Sequence, residues 1–275
     1  MSNIKIFICA HKEVSLPQHP YFLPIQAGAA LHDSIEHYQP DSEGDNISIK
    51  NPNFCELTCH YWAWKNLKNV DIVGLNHYRR YFDFSRKWPQ FSADKHFIQT
   101  EVFLKQDYLF PDLETILKTY DILLPIARHW RVSNTQQYAN YHIAKDWDML
   151  RQIIKERSPQ YMPAFKKTMD HSNKSVGYNM FITHWKHFDA YSEWLFDILF
   201  EVERRVPPID DPIQSRIYGY MSERLINVFC EHHHLRIKNI PLIMPLDDYQ
   251  EGLNVSNPRA VFRNLINDFH YWKNR

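Results

Sequence analysis

Short apolar runs alternate with stretches of helical periodicity along this chain. "IKIFICAH" (residues 4–11) has the β-branched and aromatic content of a first strand and ends in Ala10, His11 and Lys12. Residues 13–50 are rich in Pro, Asp, Ser and His and predict a long irregular loop. From 53 to 67 the pattern turns helical: Phe54, Leu57, Tyr61 and Trp64 share a face, and Asn53 with Glu56 has the spacing of a capping box. A buried strand is expected over 70–78, another over 119–127 ("TYDILLPIA"), and a third over 176–184 ("VGYNMFITH"). Helices are expected at 135–157 and 160–170, then over "WKHFDAYSEWLFDILFEVERR" and "SERLINVFCEHHH", before a closing strand "LRIKNIPLI".

Strands that alternate with helices predict an α/β fold, a central, mostly parallel sheet flanked by helices. No internal repeat or low-complexity segment interrupts it. The division expected from this order is a main domain at 1–255, with a first half at 1–90 and a second at 91–255, and a separate helix at 256–275.

Charge narrows the function classes. Lys+Arg and Asp+Glu both number 32, so no net field draws the chain to nucleic acid, and any basic feature that matters is local. Aromatic residues make up 15%, a composition suited to stacking on bases and sugar rings as well as to filling a core. Cys9, Cys55, Cys59 and Cys230 form no CxxC pair and read as free thiols of a reducing compartment. The N-terminus has no signal-peptide pattern, and no window approaches the ~18 apolar residues of a membrane span. A cytoplasmic protein is expected.

The strand over 70–78 runs into His77, Tyr78, Arg79 and Arg80. Ligands of parallel α/β sheets sit beyond the carboxyl ends of the strands, which predicts these residues on one rim with Ala10, His11 and Lys12. A guanidinium is always charged and grips phosphate oxygens in pairs, so adjacent arginines at a strand end suit a diphosphate. Both reach one ligand only if the strand has ended there, because strand side chains alternate.

"CELTCHYWAWKN", "VGLNHYRRYF", "GYNMFI" and "GYMSERLINVF" together resemble a bacterial family of capsule and O-antigen loci. That family was formerly a domain of unknown function and includes galactofuranosyltransferases. The resemblance spans roughly residues 4–245 and implies a GT-A-like glycosyltransferase that uses a UDP-sugar and a lipid-linked glycan acceptor. Enzymes of that architecture usually hold a metal ion on an Asp-x-Asp after the central strand. Here His77, Arg79 and Arg80 stand in that place, so a metal-independent site without cofactor is expected, magnesium or manganese being the alternative.

An inverting transfer needs a carboxylate to take the acceptor proton. Glu223 in "GYMSERL" is the first candidate, expected in the first turn of a helix capped by Ser222, where the helix dipole would favour the ionised form. Asp211, in Asp210-Asp211-Pro212, is the second, though it also fits an ordinary helix start. Ala10, His11, Lys12 and Glu56 are expected to meet the nucleotide, and Tyr178, Asn179 and Trp62, with Trp64 nearby, the sugar or acceptor. His232-His233-His234 makes a poor chelate on a helix and is expected to have a structural or surface role. A non-catalytic sugar- or nucleotide-binding module of the same pathway is the alternative function.

In the last segment Val261, Leu265, Phe269 and Trp272 fall near one helical face, and Arg259, Arg263, Lys273 and Arg275 add positive charge. A basic aromatic helix of this kind can lie on the inner face of a membrane or pack on the domain.

Overall fold

The computed structural model describes residues 2–85 and 95–274. In chain order the strands are β1 (Ile4–Ala10), β2 (Phe22–Gln26), β3 (Gln39–Pro40), β4 (Ile72–His77), β5 (Tyr81–Phe82), β6 (Lys95–Gln99), β7 (Ile122–Pro125), β8 (Arg128–His129), β9 (Lys174–Ser175), β10 (Phe181–His184), β11 (Ile237–Ile240) and β12 (Leu242–Leu246). The helices are α1 (Asn51–Phe54), α2 (Leu57–Asn66), α3 (Thr100–Leu104), α4 (Leu113–Thr119), α5 (Asn134–Tyr141), α6 (Ala144–Arg157), α7 (Met162–Phe165), α8 (Trp185–Arg205), α9 (Ile217–His232) and α10 (Asn257–Lys273).

Among the described residues the main sheet has seven strands in the order β11-β7-β10-β4-β1-β2-β3. β10 runs antiparallel to both its neighbours, β4 and β7, so those two are parallel to each other and the rest of the sheet follows them. The α/β expectation is borne out. From β1 the chain moves outward to β2 and β3, then returns to lay β4 on the other side of β1. The carboxyl ends of β1 and β4 therefore mark the point where strand order reverses, the usual ligand crevice of such sheets.

Gly74 explains how β4 fits at the centre. A Cβ there would come within 2.8 Å of Ile6 and Ile182 and 2.9 Å of the Phe181 carbonyl, so no larger residue is accommodated between β1 and β10. On one face of the sheet α2 and α8 pack through rings: His60 stacks on Phe188 at 5.0 Å and Trp64 on Phe196 at 5.8 Å. No helix among the described residues is long and apolar enough to cross a membrane.

Several expectations are corrected. The loop over 13–50 contains β2 and β3, each of which carries a proline, Pro24 and Pro40, that argues against a paired strand, yet β2 is paired on both edges. The helix expected over 53–67 breaks at Cys55, and the one over 135–157 breaks between Tyr141 and Ala144. The strand over 176–184 shortens to β10, and the closing strand is two, β11 and β12, split at Pro241 into different sheets. That second sheet, β5-β12-β6, had no clear sequence signal because its strands are short and drawn from distant segments. The expected division at 90/91 lies outside the described residues.

Candidate active site

β1 and β4 end in register, Cys9 beside His77. The Tyr78 amide donates to the Cys9 carbonyl at 3.1 Å, and the Arg80 amide turns back to donate to the His77 carbonyl at 2.9 Å. The strand thus closes in a tight turn, and side-chain alternation stops before the two arginines. Arg80 lies over the Tyr178 ring, 4.6 Å from its centroid, and its Nε is buried without a hydrogen-bond partner. Arg79 is exposed and lies 4.9 Å from the ring of Tyr78. His11 meets the same ring edge-on at 5.4 Å, and the Lys12 ammonium is 6.0 Å from it. Here a cleft of about 500 Å³ gathers Ala10, His11, Glu56, His77, Arg79, Arg80, Tyr178 and Glu223 on its wall.

Glu56 reaches the cleft because of the helix break. Cys55 has φ 52° and ψ −130°, a conformation costly for a side-chain-bearing residue and often found at functional sites. The break undoes the expected capping box. Asn53 Nδ2 donates to the Ser215 carbonyl at 3.1 Å, and the Glu56 carboxylate turns inward to accept from Asn179 Nδ2 at 2.6 Å. Asn179 Oδ1 in turn accepts from Ser222 Oγ at 2.7 Å, and the Glu56 carboxylate, which can only accept, fixes which way the amide points. His77 Nε2 lies 4.0 Å from Glu56 Oε1 and has no hydrogen-bond partner.

Electrostatics separate the two groups. Burial pulls His77 down to about 4, against the attraction of Glu56 and with the help of Arg80 and Arg79, so the imidazole is neutral at pH 7. Burial pushes Glu56 up, but His77, the Asn179 hydrogen bond and Arg80 outweigh it and hold the carboxyl below its usual range.

Glu223 lies in the middle of α9, not in its first turn, and Ser222 faces inward instead of capping the helix. The expected help from the helix dipole is absent. Burial raises the Glu223 carboxyl, Arg224 opposes, the charge of Glu56 adds to the rise, and Arg80 and Arg128 pull it back. Once ionised, such a carboxylate is a stronger base than a free one. Asp211 stands apart: its Oδ1 accepts from the Ile213 and Gln214 amides, both at 2.8 Å, in an exposed turn away from the cleft wall. Trp62 is also elsewhere, buried under the loop before α1 with Nε1 donating to the Glu43 carbonyl at 3.0 Å, and Trp64 packs on α8. His232 and His233 pack against Tyr161, the structural role expected of them.

Two arginines escaped the sequence reading. Arg216 Nε sits 3.1 Å from Cys55 Sγ on the cleft wall, in the turn before α9. Arg128 lies 4.9 Å from the Tyr178 ring centroid and donates to its hydroxyl. Arg128 follows the end of β7, which is parallel to β1 and β4, so the strand-end rule applied to "TYDILLPIA" would have found it. Arg216 had no comparable signal. Among the described residues no three His, Cys, Asp or Glu side chains are grouped to hold a metal ion.

Residues 5–234 match the family described as a domain of unknown function, DUF4422. The chain belongs to the DUF4422 family. The match takes in every residue of the cleft and leaves α10 outside it. Among solved structures this DUF4422 chain is similar to that of WbbM, a bifunctional glycosyltransferase in its apo form, at a TM-score of 0.80 and 29% identity. The likeness covers 92% of this chain and 47% of WbbM, so the chain spans about half the length of that enzyme. It agrees with the GT-A-like architecture expected of the sheet. No curated protein matches.

Proposed function

We propose that this DUF4422 chain is an inverting glycosyltransferase that moves a hexose, galactofuranose or galactose, from a UDP-sugar to a hydroxyl of a surface polysaccharide precursor. The observation that carries the reading is one cleft at the strand-order reversal that pairs Arg80, with its unpartnered Nε, with the half-buried Glu223. The likeness to half of WbbM supports glycosyl transfer as the reaction class.

In the reaction the acceptor oxygen attacks the anomeric carbon as the bond to the diphosphate breaks. Glu223 takes the acceptor proton. Negative charge grows on the departing diphosphate, and Arg80, Arg79 and Arg216 face it from fixed positions, where preorganised charge is most effective. Ala10, His11 and Lys12 meet the nucleotide. No step of this scheme runs through a metal ion. A lipid-linked acceptor would place the enzyme at the membrane, and α10 suits that place: Phe262, Leu265, Phe269 and Trp272 are 61–68% exposed, while the one acid of the helix, Asp268, turns inward to His129 at 3.0 Å.

The test is release of UDP from a panel of UDP-sugars with and without a chelator. Turnover of one donor that survives chelation is expected. No turnover of any UDP-sugar, with binding retained, would favour the non-catalytic module instead.

A further inference from the structure

Glu56 and His77 form a pair that the reaction scheme leaves without work. Their side chains are 14% and 12% exposed, and Glu56 Oε1 and His77 Nε2 lie 4.0 Å apart. That gap is too long for a hydrogen bond, yet one oxygen atom can stand about 2.8 Å from both. Oε1 already accepts from Asn179 and keeps a second lone pair, while Nε2 is buried and unpartnered. With the imidazole proton on Nε2, the ligand atom that fits must donate to a carboxylate and accept from the neutral ring. A phosphate oxygen fails the first condition and is repelled by Glu56. An ammonium group fails the second. A hydroxyl meets both.

We infer that Glu56 and His77 together grip one hydroxyl of the sugar being transferred and so read the identity of the donor. This rests on the donor reading above and assigns the pair to the hexose in place of the nucleotide and diphosphate. The position favours the hexose because Glu223, the base for attack on the anomeric carbon, lies close enough to Glu56 to feel its charge on the same cleft wall. The relay from Ser222 through Asn179 holds the Glu56 carboxylate in place, so the site is built before any donor arrives. A site made to hydrogen-bond a hydroxyl rejects an analogue that lacks it, because its buried groups are then left unpaired.

Calorimetric titration separates the possibilities. Wild type and Glu56→Gln are titrated with UDP, with UDP-galactose and UDP-galactofuranose, and with singly deoxygenated forms of whichever of the two binds more tightly. The expected result is an unchanged affinity of the variant for UDP and a loss of roughly ten- to a hundredfold for the UDP-sugar. One deoxy donor should show a similar loss on the wild type and little further loss on the variant. The wild-type half of that comparison uses unaltered protein and does not depend on how the variant folds. If Glu56→Gln weakens UDP as much as the UDP-sugar, the pair grips the ribose or phosphates and the inference falls alone. If every deoxy donor binds the wild type as well as its parent, it falls as well. A wild type that binds UDP-sugars not at all overturns the donor reading and this inference with it.

Discussion

Asn179 Nδ2 donates to Glu56 Oε1 at 2.6 Å, joining residues 123 positions apart in the chain. The bond ties the start of α2 to the segment that leads into β10, and it reaches an ionised carboxylate at the bottom of the cleft. A hydrogen bond to a buried charge is among the stronger single contacts in a protein.

Asn179→Ala should therefore cost about 1.5–3 kcal/mol of stability at neutral pH. Glu56 has its folded value held below its unfolded one, so its contribution is complete above the unfolded range and is lost as pH falls through the folded value. The gap between wild type and variant, followed by urea unfolding, should be wide at neutral pH and close in acid. An equal gap at both would mean that the amide is not supporting a charge.

Glu223 has the opposite sign. Its folded value is raised, so the wild type loses stability as pH climbs from the unfolded range through the folded value. Glu223→Gln should lower turnover by ~10²–10⁴-fold and yet raise the melting temperature at neutral pH, with no gain in acid. Full turnover in the variant would remove Glu223 as the base.

The arginines should not be equal. Arg80 is packed on Tyr178 with a buried, unpartnered Nε, and Arg80→Ala should lower kcat/KM for the donor by roughly ten- to over a hundredfold. Arg79 is exposed and its contact is screened by water, so Arg79→Ala should cost about 1 kcal/mol or less, roughly fivefold. Steady-state kinetics with the two variants decide it; a larger effect at Arg79 would place the diphosphate at the solvent-facing side of the cleft, away from Arg80.

His60 gives the clearest pH dependence of stability. Buried between Phe188 and other rings, with Nε2 2.8 Å from Ser192 Oγ, it is pulled down to about 3 by burial alone. A histidine depressed in the folded state titrates first in the unfolded one, so stability should fall as pH drops below about 6.5, by up to ~1.4 kcal/mol per unit from this residue. His60→Phe should flatten that slope in denaturation curves between pH 7 and 4. An unchanged slope would assign the loss to other groups.

On α10, Phe269→Ser and Trp272→Ser remove exposed rings and should leave the melting temperature unchanged. If the helix lies in a membrane interface, each should weaken partition onto anionic liposomes by ~10–100-fold, the worth of one buried aromatic side chain. Unchanged partition would leave the helix without a membrane role. These substitutions are cleaner than deletion, because Ala260 and Tyr271 on the same helix are buried against the domain.

What the sequence determined by itself was local. Apolar runs set β1, β4 and β7, periodicity set α8, α9 and α10, and the strand-end rule put His11 and Arg80 on one rim, because each of these depends on residues close in the chain. Tertiary structure decided which groups meet. Asn53 and Glu56 have capping-box spacing, yet the helix breaks at Cys55, and one side chain bonds Ser215 before α9 and the other Asn179 before β10. Glu223 looks like a first-turn residue, but α9 begins at Ile217 and leaves it mid-helix, where burial and not the helix dipole governs its proton. Arg216 reaches the cleft only because the turn before α9 packs on Cys55. Hydrogen bonds between distant segments have energies comparable to local caps, so contacts with no trace in local spacing settled the chemistry of the site.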